Sequence, residues 1–194
     1  EERFIGSVVL KALQHVDTVI VVDDGSLDDT AEIARNAGAV VVQHQTNRGK
    51  GAALNSGFAE ARALGARAVA LLDGDGQHRP DDIPKLIRPV LEQGADMVVG
   101  SRYLNLKSQI PLYRRVGQYI ITTLTNIFSG VNSTDSWSGY RAFSRRALEC
   151  IYFHESGWGV DPEFQFKAGE LDLSVVEVPR SEERRVGKEC VSEC

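Results

Sequence analysis

The chain has 194 residues, 42% hydrophobic and 25% charged, enough to bury one substantial core and read as one domain. A net charge of −5 leaves no polybasic footprint and argues against nucleic acid as a partner, while local arginine clusters stay available to bind phosphates. No stretch is apolar enough to span a bilayer, no secretory segment is present, and Cys150, Cys190 and Cys194 lack zinc-type spacing, which fits a reducing compartment and a soluble chain.

The chain opens on Glu1-Glu2-Arg3-Phe4 without a starting Met, and Ile5, Val8, Val9, Ala12 and Leu13 recur at helical spacing. It is therefore expected to start at a helix, with a preceding strand missing. Thr18 to Val22 is a short β-branched run, and Asp28 or Asp29 can cap a helix through Ala37 that Gly38 stops. Ala39 to Val42 predicts the next strand. Asn47-Arg48-Gly49-Lys50-Gly51 then opens a helix to about Leu64, ended by Gly65. Ala68 to Leu72 is small and branched without alternation, as in a strand covered on both faces. Pro80 starts a helix through Gln93, Gly94 stops it, and Met97 to Val99 is another buried strand. This succession predicts a mostly parallel sheet with helices on both sides, whose ligands bind beyond the carboxyl ends of the strands.

After Gly100 the rhythm changes. Tyr113, Val116, Ile120, Leu124, Ile127 and Phe128 form one stripe of a long helix, read as packing on the sheet in preference to lying on a membrane surface. Thr134 to Phe143 and Gly157 to Glu163 mix polar and aromatic residues and read as acceptor-side loops; Trp137 and Trp158 could stack on a ligand or anchor these loops. Ser174 to Pro179 is a strand. Arg180 to Cys194 has neither period nor cap, and its run from 180 to 190 resembles the in-frame translation of a short-read sequencing adapter. The expected domain is thus 1–179, cut at both ends, with a non-native tail over 180–194.

The chemistry concentrates in Leu71-Leu72-Asp73-Gly74-Asp75-Gly76-Gln77, where an apolar run stops on two carboxylates. In an extended segment residues i and i+2 point the same way, so Asp73, Asp75 and Gln77 could share one hard cation, and that cation could hold a diphosphate. A second acidic turn, Val22-Asp23-Asp24-Gly25-Ser26, also follows a β-branched run, which suggests two acidic loops on one sheet edge. Paired Asp residues after strands are often turn formers, the reading preferred for Asp28 and Asp29. His78 reads as a loop residue and His15, His44 and His154 receive no role.

These segments, with Gly100-Ser101-Arg102-Tyr103 and Ser138-Gly139-Tyr140-Arg141-Ala142-Phe143, resemble family 2 glycosyltransferases of the GT-A fold. The polyprenyl-phosphate (dolichyl-phosphate) sugar transferase branch is the most similar. The resemblance implies a Rossmann-like α/β/α three-layer sandwich with a mostly parallel central sheet. It implies that Asp23 and Asp24 sit at the nucleobase and ribose and that Gly49 and Lys50 lie beside the nucleoside. Asp73, Asp75 and Gln77 would form the metal and diphosphate motif. Arg102, with Arg114 or Arg115, would face a phosphate, and Asp161 and Glu163 would be the acidic pair of the late acceptor loop. The family's opening strand and Pro-Ala-Tyr-Asn-Glu-like segment have no counterpart beyond Glu1 and Glu2.

The implied reaction moves a sugar from a UDP- or GDP-linked donor to a polyprenyl phosphate or a glycan hydroxyl, with inversion. Asp75 would hold Mg²⁺ or Mn²⁺ against the departing diphosphate. A phosphate acceptor needs no base, whereas a hydroxyl acceptor would need Asp161 or Glu163. The implied location is cytoplasmic, including the cytoplasmic face of the membrane if the parent protein attaches there. Two other readings stay open: a non-catalytic nucleotide-binding remnant, and a haloacid-dehalogenase-type phosphatase, whose nucleophile loop usually has Thr or Val where this chain has Gln77. An EF-hand fails, because His78 and Pro84 stand where its loop needs Gly and Glu.

Overall fold

A computed structural model describes residues 1–104, 112–155, 157 and 159–181, with only the helical backbone given at 112–116 and 118. Trp158, the side chains of Arg114 and Arg115, and tail positions 182–194 lie outside the described residues.

Helices and strands alternate over the first half: α1 (Glu2–Ala12), β1 (Ile20–Asp23), α2 (Thr30–Asn36), β2 (Val40–Gln43), α3 (Lys50–Ala63), β3 (Ala68–Leu71), α4 (Ile83–Gln93) and β4 (Met97–Ser101). They are followed by α5 (Leu112–Ser129), β5 (Arg141–Ser144), α6 (Arg145–Cys150), α7 (Val160–Glu170) and β6 (Val175–Pro179). The glycines read as stops do that work: Gly38, Gly65 and Gly94 all adopt positive φ, where a Cβ would be strained. Pro80 begins a short 3-10 turn that leads into α4.

Strands β3, β4 and β6 point the same way in one four-stranded sheet of order β3-β5-β4-β6, and β5 alone runs against them. β1 and β2 pair in parallel as a separate two-stranded sheet. The fold is the expected α/β layering with a mainly parallel strand direction. Two local readings change. Arg141–Ser144, whose first three residues were read as loop, is β5, an inner strand of the sheet, and Asp161 and Glu163 lie in the first turn of α7, not in a loop. The two acidic turns also end strands of different hydrogen-bonded sheets, not of one.

Met97, Val99, Phe143, Phe58, Phe153 and Phe164 fill one core between the sheet, α3 and α7, with Phe153 and Phe164 in edge-to-face contact at 4.6 Å. Ile83, Leu86, Val98, Tyr140 and Ala142 fill a second beneath α4. Among its described residues the long helix α5 does not pack its apolar stripe on the sheet: Thr122 and Thr125 are buried, while Ile120, Ile121, Leu124, Ile127 and Phe128 are exposed. The inward face is polar because its partners are polar: Thr122 bonds the Ser136 hydroxyl at 3.0 Å, and Gln165 of α7 donates to Asn126, Ser129 and the Val131 carbonyl. Arg180 and Ser181, assigned on sequence to the tail, bond through their backbone N–H groups to Ser101 and Asp82.

Candidate active site

The segment after β3 is a turn, and this corrects the extended geometry read from spacing. Gly76 sits at φ +75°, and Asp75 Oδ1 accepts the Gln77 backbone N–H at 3.0 Å. The Gln77 side-chain amide also donates to Asp75, so these two residues stay together by closing a small ring of side-chain and backbone bonds. Their adjacency therefore comes from the turn, not from strand alternation.

His78 closes the same turn, a role its reading as a loop residue missed. It is buried, lies flat on the Tyr140 ring at 4.8 Å, and its Nδ1 accepts the Asp73 N–H at 3.0 Å. That bond fixes the tautomer: the proton belongs on Nε2, which sits 3.6 Å from Asp73 Oδ2. Burial holds the imidazole down to about 3, so it is neutral and usable as an acceptor. Tyr140 is positioned in turn by donating its hydroxyl to the Arg79 carbonyl at 2.8 Å.

Across the cleft, Lys50 Nζ lies 2.8 Å from Asp161 Oδ1 and 3.9 Å from Asp73 Oδ1. The first residue of α3 thus bridges the β3 turn and the start of α7. Gly139 completes the wall, since a Cβ there would stand 3.1 Å from Asp73 Oδ2 and 3.6 Å from Lys50 Nζ. Burial pushes the Asp73 carboxyl up, Lys50 opposes that, and the Asp75 charge adds to it. A carboxylate raised by burial and by a neighbouring carboxylate is suited to a cation. Among the described residues no group of three His, Cys, Asp or Glu side chains forms a closed metal site. The side-chain oxygens at this turn that could hold a hard divalent ion are those of Asp73, Asp75 and Gln77, with water and substrate phosphate needed to complete the shell.

Asp23 and Asp24 stand one step away. Asp23 accepts from the Ser26 N–H and the Gln43 amide. Asp24 accepts the backbone N–H groups of Arg48 and Gly49, at 2.9 and 2.7 Å, and pairs with His44, which reaches on to Ser56. Asp24 thereby orders the loop that ends in Lys50, and a surface cavity lined by Gly25, Ser26, Gln43 and His44 opens beside it.

Not every predicted residue converges. Glu163 spends both carboxylate oxygens on the N–H groups of His154 and Glu155, and Arg102 makes a bidentate clamp on buried Asp135 with both bonds at 2.7 Å. The fully buried Arg141 was not singled out on sequence, though it lies within a quoted motif. It donates to the carbonyls of Ser138, Ser136 and Asp161 and stacks over Phe164, so it ties the Gly139 wall to the start of α7. Burial lowers its guanidinium to about 10 without discharging it near neutrality. Polar residues mixed with aromatics around it made the segment read as a loop.

Comparison with known proteins bears on the family. An uncharacterized protein of Methanocaldococcus jannaschii is 39% identical over 92% of this chain and 76% of its own length. The UDP-N-acetylglucosamine–dolichyl-phosphate N-acetylglucosaminyltransferase of Methanococcus voltae is 37% identical over 78% of this chain and 68% of its own. The undecaprenyl-phosphate mannosyltransferase of Micrococcus luteus is 32% identical over 90% and 75%. Among solved structures, glucosyl-3-phosphoglycerate synthase from Mycobacterium tuberculosis, in complex with Mn²⁺, UDP and phosphoglyceric acid, superposes with a TM-score of 0.73 at 25% identity, covering 95% of this chain and 68% of that one. Residues 1–152 match the description Glycosyl transferase family 2. The α/β layering agrees with these matches, and the chain belongs to glycosyl transferase family 2.

Proposed function

We propose that this glycosyltransferase is metal-dependent and inverting, and that it moves a sugar from a nucleoside diphosphate to a polyprenyl phosphate. The observation that carries the reading is the meeting of Lys50, Asp73 and Asp161 beside the Asp75–Gln77 turn. Relatives named for dolichyl-phosphate and undecaprenyl-phosphate transfer support the acceptor, and a neighbour solved with Mn²⁺ and UDP-glucose supports the metal and donor class. Membership in family 2 removes the phosphatase reading.

In the reaction the bond between the anomeric carbon and the diphosphate oxygen breaks, and its electron pair leaves with the nucleoside diphosphate. An acceptor oxygen attacks the opposite face, which inverts the centre. A divalent ion, when bound, stabilises the charge growing on the diphosphate. Asp75 and Asp73 would hold it, with Gln77 keeping the Asp75 carboxylate in place and His78 fixing the backbone of Asp73. Asp23, Asp24 and Gly49 shape the nucleoside side. The pair Arg114 and Arg115 at the start of α5 would supply positive charge for a phosphate, while Arg102 is held by its clamp on Asp135.

A phosphate acceptor is already an anion near neutral pH and brings no proton to remove. This matches a site in which Lys50 occupies Asp161 and backbone N–H groups occupy Glu163. A glycan hydroxyl would need one of those carboxylates released as a base. The test is transfer from UDP- and GDP-sugars to polyprenyl phosphate with Mn²⁺, Mg²⁺ or a chelator, using the chain and Asp75→Ala. Metal-dependent transfer that the substitution abolishes is expected. Undiminished transfer in the variant overturns the metal assignment; donor binding with no transfer to any acceptor marks a nucleotide-binding remnant.

A further inference from the structure

His44 receives no role from its spacing, yet the fold buries its ring between two partners. Nδ1 lies 2.6 Å from Asp24 Oδ1, and Nε2 lies 2.8 Å from the Ser56 hydroxyl. The main chain is fixed as well, since the His44 N–H donates to the Asp23 carbonyl at 2.9 Å and extends the β1–β2 ladder by one bond. An ionised carboxylate accepts and does not donate, so Nδ1 carries a proton. A hydroxyl does either, so Nε2 keeps Ser56 as its partner whether the ring is neutral or charged.

Counting lone pairs shows what the ring does. Asp24 Oδ1 takes His44 and the Arg48 N–H at 2.9 Å, which fills it, and Oδ2 takes the Gly49 N–H at 2.7 Å, which leaves one position open. The Arg48 and Gly49 bonds join Asp24 to a loop. The His44 bond joins it to the body of the molecule, to β2 through the main chain and to the second turn of α3 through Ser56. The ring therefore decides which way the open position on Oδ2 faces, beside the cavity that His44 itself lines with Gly25, Ser26 and Gln43.

A serine, a histidine and an aspartate in this succession are also the layout of a hydrolase nucleophile. That layout needs N–H donors aimed at the oxygen of the attacked group. Ser56 lies inside α3, where backbone N–H groups are turned into the helix, and the neighbouring Asn55 amide is spent on the Phe153 carbonyl. The three residues form a brace and not a nucleophile.

We infer that His44, braced by Ser56, is a positioning residue for the sugar donor, aiming Asp24 Oδ2 at a hydroxyl or N–H of the nucleoside. This rests on the reading of Asp24 as a nucleoside contact and adds the residues that set the direction of that contact.

The test is calorimetric titration of the 194-residue chain with UDP and with GDP, each with Mn²⁺, for the wild type, His44→Phe, His44→Asn, Ser56→Ala and the double variant His44→Phe/Ser56→Ala, with melting curves to check folding. Phenylalanine fills the space of the ring without its bonds, whereas the Nδ2 of asparagine can stand near the place of Nδ1. For the nucleotide that the wild type binds, His44→Phe is expected to raise Kd about tenfold or more, and His44→Asn to recover most of the loss. Ser56→Ala is expected to raise Kd about threefold by itself and to add nothing in the His44→Phe background, because its effect passes through the ring. In transfer assays the donor KM follows Kd, with a smaller change in kcat. An unchanged Kd in folded His44→Phe overturns the inference, as does an equal loss in His44→Asn or a full further loss from Ser56→Ala in the His44→Phe background. If His44→Phe does not fold, Ser56→Ala decides: an unchanged Kd overturns the inference, and a raised Kd with an unmoved melting temperature supports it. Asp24→Ala tests the underlying reading separately. A loss there with none at His44 ends the brace and leaves the contact; no loss at Asp24, or no binding of either nucleotide to the wild type, ends both.

Discussion

Lys50 Nζ and Asp161 Oδ1 lie 2.8 Å apart, joining the first residue of α3 to the first turn of α7 across 111 positions of sequence. The same ammonium stands 3.9 Å from Asp73, so one cation serves carboxylates from both flanks of the cleft. Lys50 is partly exposed, and a pair of this kind contributes about 1 kcal/mol or less to stability. Its value lies in placing charge where the donor diphosphate would come. Lys50→Met is expected to lower kcat/KM for transfer about a hundredfold or more while moving the melting temperature by only a few degrees. A variant with near-normal kcat/KM would assign the pair to structure alone.

The imidazole of His78 acts through the backbone of Asp73. Replacing it with Phe keeps the stacking on Tyr140 but removes the acceptor for the Asp73 N–H. His78→Phe is expected to raise the Mn²⁺ concentration for half-maximal transfer about tenfold or more, with a smaller change in kcat at saturating metal. His78→Asn, whose Oδ1 can stand near the place of Nδ1, recovers part of the loss. Equal metal dependence in all three proteins would show that the bond does not organise the turn.

Asp24 ties folding to pH. Although burial raises its carboxyl, the bonds from His44, Arg48 and Gly49 outweigh that and leave it below its ordinary value of 3.8. A carboxylate depressed in the folded state adds stability above its unfolded value, and the gain disappears as pH falls through the folded one. Urea midpoints of the wild type are therefore expected to fall as the pH drops below about 4, and Asp24→Asn to lack this part of the slope. The variant should also be weaker at neutral pH by about 1 kcal/mol or more, because one of the two loop N–H groups loses its acceptor.

Much of this molecule was legible in its residues, and the unread parts share a cause. Gly38, Gly65, Gly94 and Pro80 mark element ends by local backbone chemistry, which needs no tertiary context, and those boundaries hold within a residue or two. Strand β5 was missed because four residues beginning with Arg141 have neither alternation nor a β-branched run; only the ladders to β3 and β4 make them a strand. The stripe on α5 was visible in the sequence but its direction was not, since period identifies a face without saying whether water or protein meets it. Asp73, Asp75 and Lys50 were found as motif members, while the salt bridge to Asp161 depends on how α7 is docked. The first turn of α7 did carry a signal: Asp161, Pro162 and Glu163 are residues suited to a helix start.

Glycine-to-alanine changes should have opposite signs at two helical positions. At Gly51, in the first turn of α3, a Cβ would stand 1.9 Å from the Glu155 carbonyl oxygen, a backbone atom held by the bonds that Asn55 makes to Phe153 and Glu163 makes to His154 and Glu155. Neither side can yield cheaply, so Gly51→Ala is expected to destabilise by about 1–3 kcal/mol. Because Lys50 is the neighbouring residue, the same shift should raise KM for the donor. At Gly117, within α5, a Cβ meets no described residue within 4 Å, and the substitution only removes backbone freedom from the unfolded chain. Gly117→Ala is expected to stabilise by about 0.5–1 kcal/mol with donor KM unchanged. Thermal melts and donor titrations of both variants give the comparison. A Gly51→Ala protein as stable and as tight as the wild type would mean that the 153–155 segment does not press on the start of α3, and that the cleft is wider there than the close approach implies.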